Sequence, residues 1–274
     1  LNAGLLIVFV AGILLTALLT QLIPIFFPLI NPDKEVIDLG QEYLLWRVLA
    51  IVFVAMNYAF RGYWNAVNLS HVYMGTLVSM HLLNIFLNYA LIFGHFGFPE
   101  LGVKGAAIGT SLSMIFGTLL YFVMAFRLAR SKGFLKGLPK LKNLLNLLKV
   151  SFPASTQQVF FSAGLTALFY IIGLIGTPET AAAHVLINIM LVCILPGMGL
   201  GLGAASLVGQ ALGRKDKEDA FLWGMDVVKV ALLFISSIGF LLVLFPEYIL
   251  GVFLVDPITR DLAIVPLQFT GLFI

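Results

Sequence analysis

Charge is what this sequence most lacks. Asp, Glu, Lys and Arg supply 11% of its 274 residues, where a soluble domain carries roughly a quarter. With 61% hydrophobic residues and a mean hydropathy of +1.05, a water-soluble domain is excluded. Cysteine is reduced to Cys193, set in an apolar stretch, so an internal disulfide and a multi-cysteine metal site are excluded as well. It reads as a small buried hydrophobe. No basic stretch or cleavage motif precedes the first apolar run, so the pattern of a signal peptide is missing. The sequence starts at Leu1 without Met and stops at Ile274 within an apolar run, which reads as a fragment of a longer membrane protein. Neither a His-x-x-x-Asp/Glu cluster nor a Gly-x-Ser-x-Gly turn is present, which argues against an intramembrane enzyme.

Apolar runs of about twenty residues, each able to cross a ~30 Å hydrocarbon core, take the place of charge. Eight are predicted near 4–30, 43–60, 72–94, 103–126, 148–175, 181–212, 225–250 and 260–274. The fold class expected is therefore an all-α polytopic membrane protein. Between the fourth and fifth runs, Arg127, Arg130, Lys132, Lys136, Lys140 and Lys142 are followed by Lys149, with no acid among them. Basic residues gather on cytoplasmic loops, so 127–149 is expected inside. That side also receives Arg61, Arg214, Lys215 and Lys217, while Lys34, Lys104 and Arg260 fall outside. Nucleic acid is not expected as a partner, because these charges flank membrane spans; the lipid bilayer is.

Glycine is abundant where soluble helices avoid it. Pro196 to Gly213 holds six glycines, each costing about 1 kcal/mol relative to Ala in a soluble helix but allowing close helix approach in a membrane. A repeat is visible at an offset of 225 residues: Leu29-Ile30-Asn31-Pro32 matches Leu254-Val255-Asp256-Pro257, each at the outer end of an apolar run. Repeated halves are a common build of secondary transporters, with substrate held between them.

Several segments carry a family resemblance. Residues 203–213 (GAASLVGQALG), residues 84–110 (NIFLNYALIFGHFGFPELGVKGAAIGT), Arg61-Gly62, Phe152-Pro153 with Gln157-Gln158, and Ala181-Ala182-Ala183-His184 together resemble the multidrug and toxic compound extrusion (MATE) transporters. The resemblance implies two pseudo-repeated helical lobes, incomplete at both ends. The first lobe, 1–126, would hold family helices three to six. A basic cytoplasmic linker would span 127–147, and helices seven to ten would fill 148–274. The implied activity is antiport of lipophilic or cationic drugs across the inner membrane by alternating access, with a proton or sodium gradient as driving force. No cofactor is implied, small drug-like molecules are the expected partners, and the chain is expected to act as a monomer. A lipid-linked oligosaccharide flippase of the same superfamily is the alternative. It calls for a basic cavity lining to hold pyrophosphate, and no mid-span basic pair is seen in the sequence.

Acids inside a membrane are expensive and usually functional. All thirteen here are expected in loops or at helix ends: Asp33, Glu35, Asp38, Glu42, Glu100, Glu179, Glu247, Asp256 and Asp261 outside, and Asp216, Glu218, Asp219 and Asp226 inside. Where the proton-coupled branch of the family carries an Asn-x-x-x-Asp pair, this chain has Asn84 and Asn88. Asn does not titrate, so a coupling carboxylate is expected in helices beyond this fragment, or else the chain departs from the family mechanism. Asn84 and Asn88 share a helix face, and Thr110 matches a Thr of the same cavity in that branch. Gln157, Gln158 and Asn188 are the candidates in the second lobe. Amides and hydroxyls can fix a substrate or a hydrated cation, or simply bridge helices for about 1 kcal/mol or less each. His81 and His184 are candidates for a proton relay, since imidazole titrates near neutrality. Arg47 is expected to snorkel outward, Arg61 to cap a helix end, and Trp46, Trp64 and Trp223 to anchor at the interface. Pro153 and Pro196-Gly197 are expected to kink their helices.

Overall fold

The computed structural model describes residues 1–30, 34–254 and 256–273, excluding the side chains of Leu29, Ile30 and Thr177. Of the repeated blocks, Asn31, Pro32 and Val255 lie outside the described residues. Ten α-helices and one 3-10 turn make up the described fold, as the long apolar runs require. The chain divides into two compact units, Leu1–Val150 and Ser151–Ile274. Among the described residues, five helices are long and apolar enough to cross a membrane, or six spans if one bent pair is counted.

In the first unit the helices are α1 (Asn2–Ile30), α2 (Lys34–Leu49), α3 (Ile51–Ala66), α4 (Ser70–Phe93) and α5 (Gly102–Leu128). The run expected at 43–60 is two helices bent by 44°. Lys34 and Glu35 stand in the first turn of α2, as a helix-end position requires, but Asp38 and Glu42 lie inside the helix rather than in a loop or at its end, and Arg47 is in its last turn. The break exposes carbonyls that lipid cannot satisfy. Hydroxyls from neighbouring helices do so: Thr16 donates to the Val48 carbonyl at 3.1 Å and Ser111 to that of Trp46 at 3.0 Å. Arg47 does not snorkel freely; its Nη1 is buried without a hydrogen-bond partner. Pairs of long apolar helices must find close contact without a hydrophobic drive in lipid, and α4 and α5 find it through glycine. A Cβ at Gly105 would lie 2.4 Å from the Leu91 carbonyl oxygen, and one at Gly109 would lie 2.6 Å from Asn88 Oδ1.

The core of this unit gathers Phe60, Trp64, Tyr121, Ala125 and Phe134. Phe60 stacks on Tyr121 at 5.3 Å and meets Phe122 edge-on at 5.2 Å. Trp64 is fully buried there, so it is a core residue and not the expected interface anchor; Trp46 and Trp223 are exposed. Phe134 folds the basic segment back onto this core, and Asn2 holds the same turn by donating to Gly133 O at 3.0 Å and accepting from Leu135 N at 3.2 Å. Lys140 stands just before α6 and Lys142 within it.

The second unit comprises most of α6 (Leu141–Gly173), then α7 (Thr177–Gly213), α8 (Lys217–Leu244), α9 (Pro246–Phe253) and α10 (Pro257–Phe273). Both α6 and α7 continue through Pro153 and Pro196. The seventh run starts eight residues earlier than expected because Asp216 caps α8, accepting from Asp219 N at 2.9 Å. Asp226 is consequently an internal residue of α8, paired with Lys229 at 3.2 Å on an exposed face, rather than a helix-end acid. α8 and α10 touch at paired glycines: a Cβ on Gly239 would sit 2.4 Å from Gly271 O. Cys193 is buried in this unit's core with Leu242, Leu250 and Leu267. Asp256 starts α10, accepting from Thr259 N at 2.9 Å and Thr259 Oγ1 at 2.5 Å. Those bonds hold its carboxyl below the ordinary range. Two expected spans fall short of the others. α6 is diluted by Gln157, Gln158 and its lysines, and α10 has 17 residues, about 26 Å at 1.5 Å per residue.

Candidate functional site

The glycines of α5 bring its backbone against α4, and the polar side chains meet at that seam. Asn88 Nδ2 donates to Asn84 Oδ1 at 3.4 Å, and Asn84 Nδ2 donates to Thr110 Oγ1 at 3.3 Å. Thr110 in turn donates to the Ala106 carbonyl at 2.8 Å. All three side chains are half-buried. Asn88 Oδ1 ends the chain of bonds buried and without a partner. A buried amide oxygen left unpaired costs about 1–3 kcal/mol, so packing alone does not justify it. It faces α5, where a Cβ on Gly109 would lie 2.6 Å away, so a donor reaches it only when α4 and α5 part.

A second polar cluster on α3 and α5 was not foreseen. Thr118 Oγ1 lies 2.8 Å from Asn57 Oδ1 and 3.0 Å from Met114 O, and Asn57 Nδ2 donates to Met114 O at 3.1 Å. Thr118 is 2% exposed, which marks this cluster as a structural bridge. The dense hydroxyls of α5, Thr110, Ser111, Ser113 and Thr118, were the available signal.

In the second unit, Gln157 and Gln158 are both exposed on α6. Gln158 lines a shallow groove with Ser155, Ser162 and Thr166. Gln157, one residue away, lies 100° around the helix and is not part of that groove. Asn188 donates to the His184 carbonyl at 2.9 Å, within its own helix. The His184 ring stacks on Phe169 at 4.2 Å, a packing role that a proton relay does not need. His81 is exposed on α4. Among the described residues no group of three or more His, Cys, Asp or Glu could hold a metal ion. A separate cleft of about 770 Å³ between α7, α8 and α10 is lined by Met190, Ile194, Met198, Ile235 and Phe269.

Comparison with known proteins decides the family. A family model described as MatE matches residues 1–90 and 153–274. The chain belongs to the MATE transporter family. This MATE chain is 30% identical over 270 residues to a "Probable multidrug resistance protein NorM" of Thermotoga maritima, covering 96% of the chain and 57% of that relative. It is 28% identical to the "Uncharacterized transporter YisQ" of Bacillus subtilis, covering 67% of the chain and 41% of the relative. The chain thus spans about half the length of the curated relatives it matches. Among solved structures, an "Outward-facing conformation of a multidrug resistance MATE family transporter of the MOP superfamily" superposes with a TM-score of 0.86 at 21% identity, over 99% of this chain and 61% of that one. Another, a Pyrococcus furiosus MOP superfamily transporter described by "Reverse polarity of binding pocket", gives 0.84 at 21%, over 97% of this chain and 60% of that one. Members of this family are transporters, not enzymes, and this chain is a multi-span membrane protein.

Proposed function

We propose that this chain forms the greater part of a secondary antiporter that exports lipophilic, often cationic, drug-like compounds across the inner membrane. A proton or sodium gradient drives it by alternating access between two lobes, 1–126 and 148–274, joined by a cytoplasmic linker, 127–147. The linker's charge, with seven basic residues and no acid over 127–149, supports that orientation. The multidrug resistance named for the Thermotoga maritima relative supports the class of cargo.

The observation that carries the reading is the Asn84–Asn88–Thr110 seam with its unpartnered Asn88 Oδ1. Once α4 and α5 part, it offers a neutral acceptor to which a cationic group can bind without an ion pair to break. Gln157, Gln158 and Asn188 extend the same chemistry in the second lobe, and His81 and His184 are the candidates for a proton relay.

The test is ethidium accumulation in cells that lack their own efflux pumps and express the complete reading frame. Asn88→Leu removes the buried unsatisfied oxygen but also the amide that donates to Asn84 Oδ1, so a folding cost of about 1 kcal/mol or less is expected while efflux falls at least fivefold. Efflux at the wild-type level from well-folded Asn84→Leu and Asn88→Leu would place the binding site elsewhere. One observation favours the second reading. Arg47, half-buried with its Nη1 buried and unpartnered, supplies a cation to the first unit, as an exporter of phosphate-bearing lipid-linked sugars requires.

A further inference from the structure

Arg61 stands at one end of the first unit, on the last turns of α3. Its guanidinium lies over the rings of Tyr58 and Tyr73, 5.6 and 5.7 Å from their centroids. Tyr73 is itself fixed, its carbonyl accepting from the Tyr121 hydroxyl at 3.3 Å. Contact through the ring faces leaves the edge N–H groups of the guanidinium available, and that edge matches a phosphate. None of the three ion pairs among the described residues involves Arg61.

The same residue lines a cavity of about 140 Å³ whose other lining is the apolar Val54, Leu77, Met80 and Met114 together with Asn57 and Tyr121. That volume is below the roughly 300–1,000 Å³ of a site for drug-sized ligands. It suits one charged group and the start of one alkyl chain.

Charge at this end is of one sign. Phe134 packs against Phe60 at 6.3 Å and Phe122 at 6.0 Å, so the basic segment lies at the Arg61 end of the helices. Arg127, Lys132 and Lys136 are exposed there. No Asp or Glu occurs in 43–99 or 101–150, the stretches that build this end. Basic pockets between membrane helices, beside polybasic segments, attract anionic lipid headgroups.

We infer that Arg61, clamped by Tyr58 and Tyr73, seats the phosphate of an anionic phospholipid, one acyl chain of which enters the trench of Val54, Leu77, Met80 and Met114. The exposed Arg127, Lys132 and Lys136 draw anionic lipid to the seat. This does not depend on the cargo proposed above, nor on the Asn seam.

The test is native mass spectrometry and thermal unfolding of the purified full-length protein in nanodiscs of phosphatidylcholine, with and without 30% phosphatidylglycerol. Wild type is expected to retain phosphatidylglycerol and to unfold several degrees higher in the mixed discs. Arg61→Gln loses most of that shift and at least threefold of the bound lipid, and Arg61→Lys recovers part. Tyr58→Ala, at a side chain 64% exposed and so without consequence for folding, weakens retention by a smaller factor. Lys132→Gln with Lys136→Gln lowers mainly the salt-sensitive part. Full lipid retention by both Arg61→Gln and Tyr58→Ala overturns the inference. So does an equal shift from inorganic phosphate in pure phosphatidylcholine discs, which would make this a free-anion site.

Discussion

Substituting Gly105 by Ala tests whether the α4–α5 seam is set by backbone contact. The added methyl would stand 2.4 Å from Leu91 O, 2.7 Å from Leu91 C and 3.1 Å from Ile92 N. All three are backbone atoms, so no side-chain rotation relieves the clash. The helices must part by about 0.6 Å to reach a tolerable contact, an overpacking strain of about 1–3 kcal/mol. Alanine returns at most about 1 kcal/mol of helix propensity over glycine, leaving a net loss of about 1–2 kcal/mol. The Asn84–Thr110 bond, already 3.3 Å long, would stretch past hydrogen-bond range. The control is Gly75→Ala on the same α4, where nothing lies within 4 Å of the new Cβ; it is expected to be neutral or stabilising. Unfolding of the purified protein in detergent, followed by the fluorescence of the buried Trp64, is expected to shift down by about 3–6 °C for Gly105→Ala. If both variants unfold with the wild type, close backbone contact does not set this seam and the reasoning fails.

Other expectations follow from single contacts. Phe134→Ala removes a side chain 3% exposed from an aromatic core, at a cost of about 3–5 kcal/mol. Limited proteolysis should then cut the 129–140 turn faster. Thr118→Val strips Asn57 of its hydroxyl partner at 2.8 Å and is expected to cost about 1–2 kcal/mol in thermal unfolding. Asp256 has its carboxyl held below the ordinary aspartate value of 3.8 by the Thr259 bonds. The stabilisation is therefore fully present above 3.8 and is lost as pH falls through the lower folded value; amide exchange at Thr259 should accelerate only in that acidic window and should be fast at all pH in Asp256→Ala.

Much of this was legible in the sequence. Runs of twenty apolar residues leave helix as the one way to cross lipid, so element type and approximate limits followed directly. The pairing of Asn84 with Asn88 followed from their four-residue spacing, and their meeting with Thr110 came from the family resemblance. What escaped detection was long-range. The 44° bend at Ala50 carries no Pro or Gly, because hydroxyls of Thr16 and Ser111, distant in sequence, satisfy the freed carbonyls. The same bend is why Arg47 turned inward unannounced. Trp64 reads as an interface residue from its place near a span end, yet it is buried in a core that also takes in Phe134, seventy residues later. Asp226 was displaced from the helix end by a cap, Asp216, whose effect on where α8 starts outweighs hydropathy.

The most direct measurement is transport by the complete protein in proteoliposomes, with a lipophilic cation as cargo and either a pH or a sodium gradient imposed. The account predicts gradient-driven cation movement that stops when the gradient is collapsed and falls several-fold in Asn88→Leu. Cargo movement indifferent to both gradients, from well-folded protein, would contradict it.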